Sequence, residues 1–66
     1  MNTRLIKLKE VLTITGLSRS HTYALAQRGE FPKPVKLTER SSAWVQAEVI
    51  AWIESRITQR DMEAAA

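Results

Sequence analysis

Few side chains in this sequence could carry out catalysis or hold a metal ion. His21 is the only histidine, and the 66 residues include no cysteine. Transition-metal sites need several such ligands that converge, and a nucleophile needs a general base within reach. Glu48 and Glu54 are six residues apart, a spacing that does not bring two carboxylates to one helical face. We therefore expect neither an enzyme nor a metal or cofactor site.

Hydrogen-bonding and basic side chains are concentrated between residues 18 and 41. The first group is Ser18, Arg19, Ser20, His21, Tyr23 and Gln27. An arginine can pair with O6 and N7 of guanine, and hydroxyl or imidazole groups can bond to bases or phosphate oxygens. The second group is Lys33, Lys36, Thr38, Arg40 and Ser41. Basic groups beside a recognition element commonly grip phosphates or enter the minor groove, so both groups are candidate DNA-binding residues.

Three of the positions in this region have an alternative interpretation. Tyr23 could equally be a half-buried ring packed under the β-hairpin predicted after it. If Tyr23 contacts DNA, a phosphate is a better partner for it than a base. His21 could be an ordinary exposed polar residue, because only its position nominates it. Arg28 is better explained as a partner of the negative end of a helix dipole than as a DNA contact.

The charge distribution is compatible with a polyanionic ligand. The net charge is +3, and residues 1–45 contain eight Lys and Arg against three Glu, a balance of +5. Residues 46–66 have a balance of −2. Such asymmetry suggests one face for a polyanion and another turned away from it. Charges scattered over a solvated surface explain the same counts, and charge alone favours this second interpretation.

Two helices joined by a short turn are predicted to position the first group. Leu5, Leu8, Val11 and Leu12 recur at helical spacing and predict a helix from about Lys7–Lys9 to Thr15, which Gly16 would close. Ser18 is a suitable N-cap and Gly29 a suitable C-terminal stop for a second helix. The inward face of that helix would be Thr22, Leu25 and Ala26. The pattern is that of a helix-turn-helix, although an ordinary αα-hairpin uses similar caps.

A β-hairpin and a third helix are predicted to follow. Pro32 and Pro34 exclude a helix at that point, and alternation in 35–37 and 42–45 predicts two strands. An apolar stripe predicts a helix from about Gln46 to Arg60, formed by Val45, Val49, Trp52, Ile53 and Ile57. We assign Trp44 and Trp52 to the core under the hairpin rather than to stacking on bases.

The predicted fold class is mainly α with a small β-hairpin. It corresponds to a winged helix-turn-helix of three helices plus a two-stranded wing. We expect a single domain over residues 1–62 with a frayed tail at residues 63–66. No apolar stretch is long enough to cross a membrane, and charged residues near the N-terminus argue against a signal peptide.

Four stretches of the sequence, taken in order, resemble the AlpA family. They are RLIKLKEV at 4–11, TGLSRS at 15–20, RGEFPKPVKL at 28–37, and Trp44 followed by EV at 48–49 and AWI at 51–53. AlpA proteins are small prophage-associated regulators related to the MerR-like and excisionase winged helix-turn-helix proteins. The resemblance covers roughly residues 4 to 57.

The resemblance implies binding to duplex DNA in bacteria, and therefore a cytoplasmic, nucleoid-associated protein. It implies regulation of integrase or excision genes, or alternatively an excisionase that bends attachment-site DNA so that an integrase runs in the excisive direction. Residues 18–23 would carry groove recognition and residues 36–41 the wing. Many relatives place further basic residues after the position of Tyr23, where this sequence has Ala24 and Ala26. Phosphate contact would therefore depend more on Arg19 and the wing.

A second hypothesis is a protein-interaction module that binds an integrase or an RNA polymerase subunit. The polar face of the third helix could serve it, with Glu48, Glu54, Ser55 and Gln59. In the DNA-binding hypothesis, one domain of this size reads few base pairs. A specific site would then need several copies side by side.

Overall fold

The computed structural model describes residues 3–65, which form three helices and three short strands. In chain order they are β1 (Leu5–Ile6), α1 (Leu8–Thr15), α2 (Arg19–Gln27), β2 (Val35–Thr38), β3 (Ser41–Val45) and α3 (Gln46–Ala65). The strands form one antiparallel sheet in the order β1-β3-β2. The predicted class, mainly α with a small β part in a winged helix-turn-helix arrangement, is confirmed.

The turn between α1 and α2 begins at a left-handed glycine. Gly16 has φ 75° and ψ 7°, and its N–H donates to the carbonyl of Leu12 at 2.9 Å. The hydroxyl of Thr15 donates to the Val11 carbonyl at 2.7 Å and accepts from the N–H of Leu17 at 3.2 Å. The bond from Gly16 satisfies a carbonyl of the last turn that would otherwise be unpaired. The two bonds of the Thr15 hydroxyl hold Leu17 where it packs against the core.

Both predicted ends of α2 are confirmed. The hydroxyl oxygen of Ser18 accepts from the N–H of His21 at 3.2 Å, as an N-cap does. At the other end Gly29 has φ 75° and its N–H donates to Ala26, while the N–H of Glu30 donates to Leu25. This pair of bonds is a Schellman motif. It turns the chain out of the helix toward the hairpin.

The core lies where α1, α2 and α3 meet the sheet. Val11, Trp44 and Val49 are fully buried, and Ile6, Ala26 and Phe31 nearly so. The predicted inward face of α2 is confirmed, with Thr22 and Ala26 buried and Leu25 partly buried. Thr22 satisfies its buried hydroxyl by donating to the Ser18 carbonyl at 2.8 Å. Among residues 3–65 no buried side-chain nitrogen or oxygen lacks a hydrogen-bond partner.

The sheet has three strands, whereas the sequence predicted two. Leu5 and Ile6 pair with Val45 and Trp44, and the N–H of Gln46 donates to the Arg4 carbonyl at 2.8 Å. Ile6 is buried while Leu5 is 41% exposed, so assigning Leu5 to the apolar face of the first helix was wrong. A strand of two residues is too short to show alternation. The three-residue step from Leu5 to Leu8 matched helical spacing by coincidence.

The third helix is longer than predicted and its apolar stripe is only partly covered. It runs to Ala65 rather than to about Arg60, since neither proline nor glycine follows Gln46. The predicted tail at 63–66 is therefore helical and exposed through Ala65, and Ala66 lies outside the described residues. Along the stripe Val49 is buried and Ile53 partly so, but Ile57 is 45% exposed because α1 ends near it. Within residues 3–65, none of the helices combines the length and apolar character needed to span a membrane.

Gly16→Ala is expected to lower the free energy of unfolding by about 1 kcal/mol. No atom lies within 4 Å of a Cβ built at Gly16, so the cost comes from the left-handed backbone alone. Gly16→Asn is the matched control and should lose less, because asparagine tolerates this conformation. Urea unfolding of the three proteins measures the difference. Equal stability of Gly16→Ala and the wild type would contradict the left-handed closure of α1.

Candidate nucleic-acid interface

The candidate DNA-reading residues of α2 are exposed, but they divide between two flanks of the helix. Arg19, Tyr23 and Gln27 are spaced by four residues and therefore form one row. Tyr23 and Gln27 line an open groove of about 390 Å³ together with Lys33 and Pro34. The structure thus brings part of the first group next to the start of the second. We call the three α2 residues Arg19, Tyr23 and Gln27, together with the neighbouring Lys33, the α2 row.

His21 lies on the opposite flank of α2 from this row. With Leu17 and Leu25, it lines a separate open groove of about 540 Å³ whose other wall includes Trp52 and Arg56 of α3. The sequence had grouped His21 with Tyr23 and Gln27, and the structure does not bring these side chains together. The inward face of α2 was predictable, but which flank faces α3 depends on how the helices pack.

Two candidate residues near the start of α2 have defined positions. Ser18 uses its oxygen to cap the helix, which leaves the hydroxyl hydrogen free to donate to another group. Ser20 is exposed, and at 100° per residue it points away from the buried Thr22 and Ala26. Ala24 lies beside it on the same outward side, so the centre of that side carries no charge.

The ring of Tyr23 packs against the fully buried Trp44. The ring centroids are 5.9 Å apart with an interplanar angle of 58°, and Tyr23 remains 39% exposed. No hydrogen bond from its hydroxyl to another group within residues 3–65 is formed. The half-buried interpretation therefore describes the ring. The hydroxyl stays available at the surface, so a phosphate contact is compatible with the same position.

Two indole N–H groups fix the segment that leads from α2 to the hairpin. Trp44 donates to the Pro32 carbonyl at 2.9 Å, and Trp52 donates to the Glu30 carbonyl at 2.7 Å. Phe31, which lies between Glu30 and Pro32 in the chain, is buried, and its ring meets the Trp52 ring edge-on with 4.9 Å between the ring centroids. These contacts confirm the core position of Trp44, whereas Trp52 is only partly buried. They also fix the backbone that leads into Lys33.

The wing is formed by β2 and β3 with a two-residue tip, Glu39 and Arg40. Lys36 pairs with Ser42 and Thr38 with Ser41, with an irregularity in the register between Lys36 and Thr38. The Thr38 oxygen accepts from the N–H of Arg40 at 3.3 Å and so stabilises the tip. All four residues of β2 are exposed. The guanidinium of Arg40 has no ion-pair partner within residues 3–65.

Lys7 contacts the wing, a position that no pattern in the sequence predicted. Its Nζ donates to the Ser41 hydroxyl oxygen at 2.5 Å across 34 positions of sequence. The pairing of β1 with β3 brings the two residues together. A lysine and a serine beside the tip of a wing suit a phosphate oxygen. Only the pairing of residues 5–6 with 44–45 could have revealed this contact, and no local sequence signal marks it.

Arg28 is engaged within the protein rather than with the α2 row. Its Nε lies 2.8 Å from a carboxylate oxygen of Glu30, and both side chains are about 60% exposed. A pair this exposed contributes little stability. It supports the interpretation of Arg28 as a residue of the helix end. Among the described residues, no cluster of three or more histidine or acidic side chains is arranged to hold a metal ion.

Fold and surface together define a small winged helix-turn-helix protein with basic and hydrogen-bonding groups along α2 and the wing. The sequence profile of the family described as prophage CP4-57 regulatory protein (AlpA) matches residues 4–57, and the chain belongs to this family. A relative described as uncharacterized protein ORF88, from Enterobacteria phage P4, is 44% identical over 57 residues. The alignment covers 86% of this chain but 65% of the relative, so the chain spans slightly less than two thirds of that protein. The family is one of phage-related regulators.

Tyr23→Phe separates the two roles of Tyr23. Phenylalanine keeps the ring against Trp44, so the free energy of unfolding should stay within about 0.5 kcal/mol of wild type. Loss of a hydroxyl bond to phosphate should weaken duplex binding by about 0.5–1.5 kcal/mol. Tyr23→Ala is the comparison and should lose stability as well, because it removes the ring contact. Full DNA affinity of Tyr23→Phe would leave Tyr23 a packing residue only.

Proposed function

We propose that this protein is a small phage-type regulator that binds specific sites on duplex DNA and controls transcription of integrase or excision genes. The observation that carries the proposal is the groove shared by Tyr23, Gln27 and Lys33, which joins α2 to the segment entering the wing. Membership of the AlpA family supports a regulatory role. The protein would act on the bacterial nucleoid in the cytoplasm, without catalysis and without a cofactor.

In the proposed complex α2 lies in the major groove, as recognition helices of this class do. Arg19, at the start of the helix, is the best candidate for pairing with a guanine. Ser20 and Gln27 have donors and acceptors for base edges or for phosphates. The central Ala24 can make only apolar contacts, such as with a thymine methyl group.

The wing would hold the DNA backbone. Lys36 and Arg40 lie on the hairpin, and the Lys7–Ser41 pair lies beside its tip. Contacts of this kind fix the position and orientation of the protein on the duplex without reading sequence. The carboxylate of Glu39 at the tip opposes this attraction. It makes the hairpin less basic than Lys36 and Arg40 alone would make it.

A second role, an excisionase that bends attachment-site DNA, uses the same binding surface. In that role the deformation of the duplex, rather than occupancy of a promoter, would be the product of binding. Footprinting on attachment-site DNA and on promoter DNA of the same phage distinguishes the two roles. In either role several copies side by side would extend the site beyond the few base pairs that one domain reads.

The proposed function predicts duplex binding that weakens steeply with salt. Each phosphate neutralised by Lys or Arg contributes about −0.9 to the slope of log K against log salt. Four or five such contacts give a slope of roughly −4. Fluorescence anisotropy over a range of KCl concentrations measures it. Arg28→Ala is the control and should keep the wild-type slope, because Arg28 lies at the C-terminal end of α2 and is assigned to the helix end rather than to a phosphate contact. A slope near zero, or no duplex binding, would contradict the proposal.

Arg19→Ala and Arg40→Ala are expected to differ in kind. Arg19→Ala should cost about 1–3 kcal/mol on the specific site and relax the preference at one base position, because it removes a base contact. Arg40→Ala should weaken all sequences alike and reduce the salt slope by about one, because it removes a phosphate contact. Competition binding against specific and scrambled duplexes measures both. Two variants with wild-type affinity would rule out the docking described above.

A further inference from the structure

An apolar strip remains uncovered where the C-terminal half of α3 passes the end of α1. An open groove of about 360 Å³ separates the two helices, and its walls include Ile14, Ile53, Ile57, Arg56 and Arg60. Ile14 is 40% exposed and Ile57 45% exposed. Single exposed isoleucines are ordinary on a protein surface, but these side chains share one concave site. We call it the α1–α3 groove.

The groove lies on the other side of α3 from the hairpin. Glu48 and Ala51 face Pro32 and Val35 at the base of the wing. Ile53 and Ile57 lie on the opposite side of the same helix and face Ile14. A molecule in the α1–α3 groove would therefore leave the wing uncovered.

Both charged residues that line the groove are arginines. Arg56 has no ion-pair partner within residues 3–65. Among the described residues, Arg60 is paired only with the adjacent Asp61, at 2.8 Å, with the two side chains 73% and 61% exposed. An exposed pair of this kind is weak and readily exchanged for another carboxylate. Glu54 and Glu63 of the same helix do not line the groove.

We propose that the α1–α3 groove binds an acidic amphipathic helix of a partner protein. Apolar side chains spaced three and four apart on such a helix would cover Ile14, Ile53 and Ile57, as in other helix-in-groove complexes. Carboxylates flanking that apolar face would meet Arg56 and Arg60. The resulting surface is separate from the α2 row and does not depend on the proposed DNA-binding function.

Charge and shape favour this occupant over two others. In a twofold dimer through this surface the same patch meets itself, which would bring the arginines of one copy toward those of the other. A DNA phosphate backbone would neutralise Arg56 and Arg60 but would leave the isoleucines exposed to water. An acidic amphipathic helix satisfies both the charge and the apolar surface.

Titration of the full chain with two synthetic peptides tests the proposal. Each peptide is roughly 18 residues long, long enough to form a helix on binding, with leucines at i, i+3, i+4 and i+7. One carries Glu at the flanking positions, and the matched one carries Lys. NMR of labelled isoleucine methyl groups should show the acidic peptide shifting Ile14 and Ile57, with at least tenfold weaker binding by the Lys peptide.

Variants of the protein locate the binding site. Ile57→Ser and Arg56→Gln should each weaken acidic-peptide binding at least fivefold. Ile50→Ser is the matched control, because Ile50 is 40% exposed but does not line the groove, and it should bind like wild type. Thermal unfolding and duplex affinity are measured on each variant and should remain those of wild type.

Four outcomes would overturn the proposal. Equal binding of both peptides, or wild-type binding by Ile57→Ser, would show that the groove is not a site for an acidic helix. Concentration-dependent dimerisation abolished by Ile57→Ser would assign the groove to a second copy. Reduced duplex affinity of Arg56→Gln would assign the arginine to phosphate contact. If the wild type binds no duplex but the acidic peptide occupies the groove, the proposed function fails and this proposal stands.

Discussion

Two hydrogen bonds from indole N–H groups determine how α2 and the wing are placed relative to each other. The segment that joins α2 to the wing contains Pro32 and Pro34. These prolines have no N–H to donate, so a ladder of backbone hydrogen bonds cannot hold the segment. Trp44, in the central strand, and Trp52, in α3, supply donors to the carbonyls of this segment instead. Because the two tryptophans belong to different elements, one short loop ties α2, the sheet and α3 together. The groove that joins α2 to Lys33 depends on this tie.

The same side chains serve the fold and the candidate interface. Tyr23 packs its ring on Trp44 and leaves its hydroxyl at the surface, so the core sets the position of a group that could touch DNA. Ser18 caps α2 and keeps a hydrogen to donate. Lys7 is carried to Ser41 by a strand that also completes the sheet. In a chain of 66 residues a small core leaves few positions that do only one of these tasks.

Local rules predicted the elements, and non-local pairing accounts for what was missed. Gly16, Ser18 and Gly29 mark helix ends because the backbone groups there need particular partners and a left-handed residue, and these requirements are written in neighbouring residues. β1 is different, since Leu5 and Ile6 become a strand only by pairing with residues some forty positions away. The separation of His21 from Tyr23 also depends on residues distant in sequence, because the packing of α3 against α2 decides which flank of α2 faces α3.

The charges of α3 show why a count along the chain can mislead. Residues 46–66 have a net charge of −2, a balance that by itself suggests a face turned away from a polyanion. On the helix, however, Arg56 and Arg60 are four residues apart and lie on one side with Ile53 and Ile57, where they line the α1–α3 groove. Glu54 does not line this groove. The molecule therefore has basic groups on two sides. The two basic sides differ in the groups that lie next to the charges. Along α2 these are hydrogen-bond donors and acceptors suited to bases. In the α1–α3 groove they are uncovered isoleucines, which suit a carboxylate-bearing protein helix better than a nucleic acid.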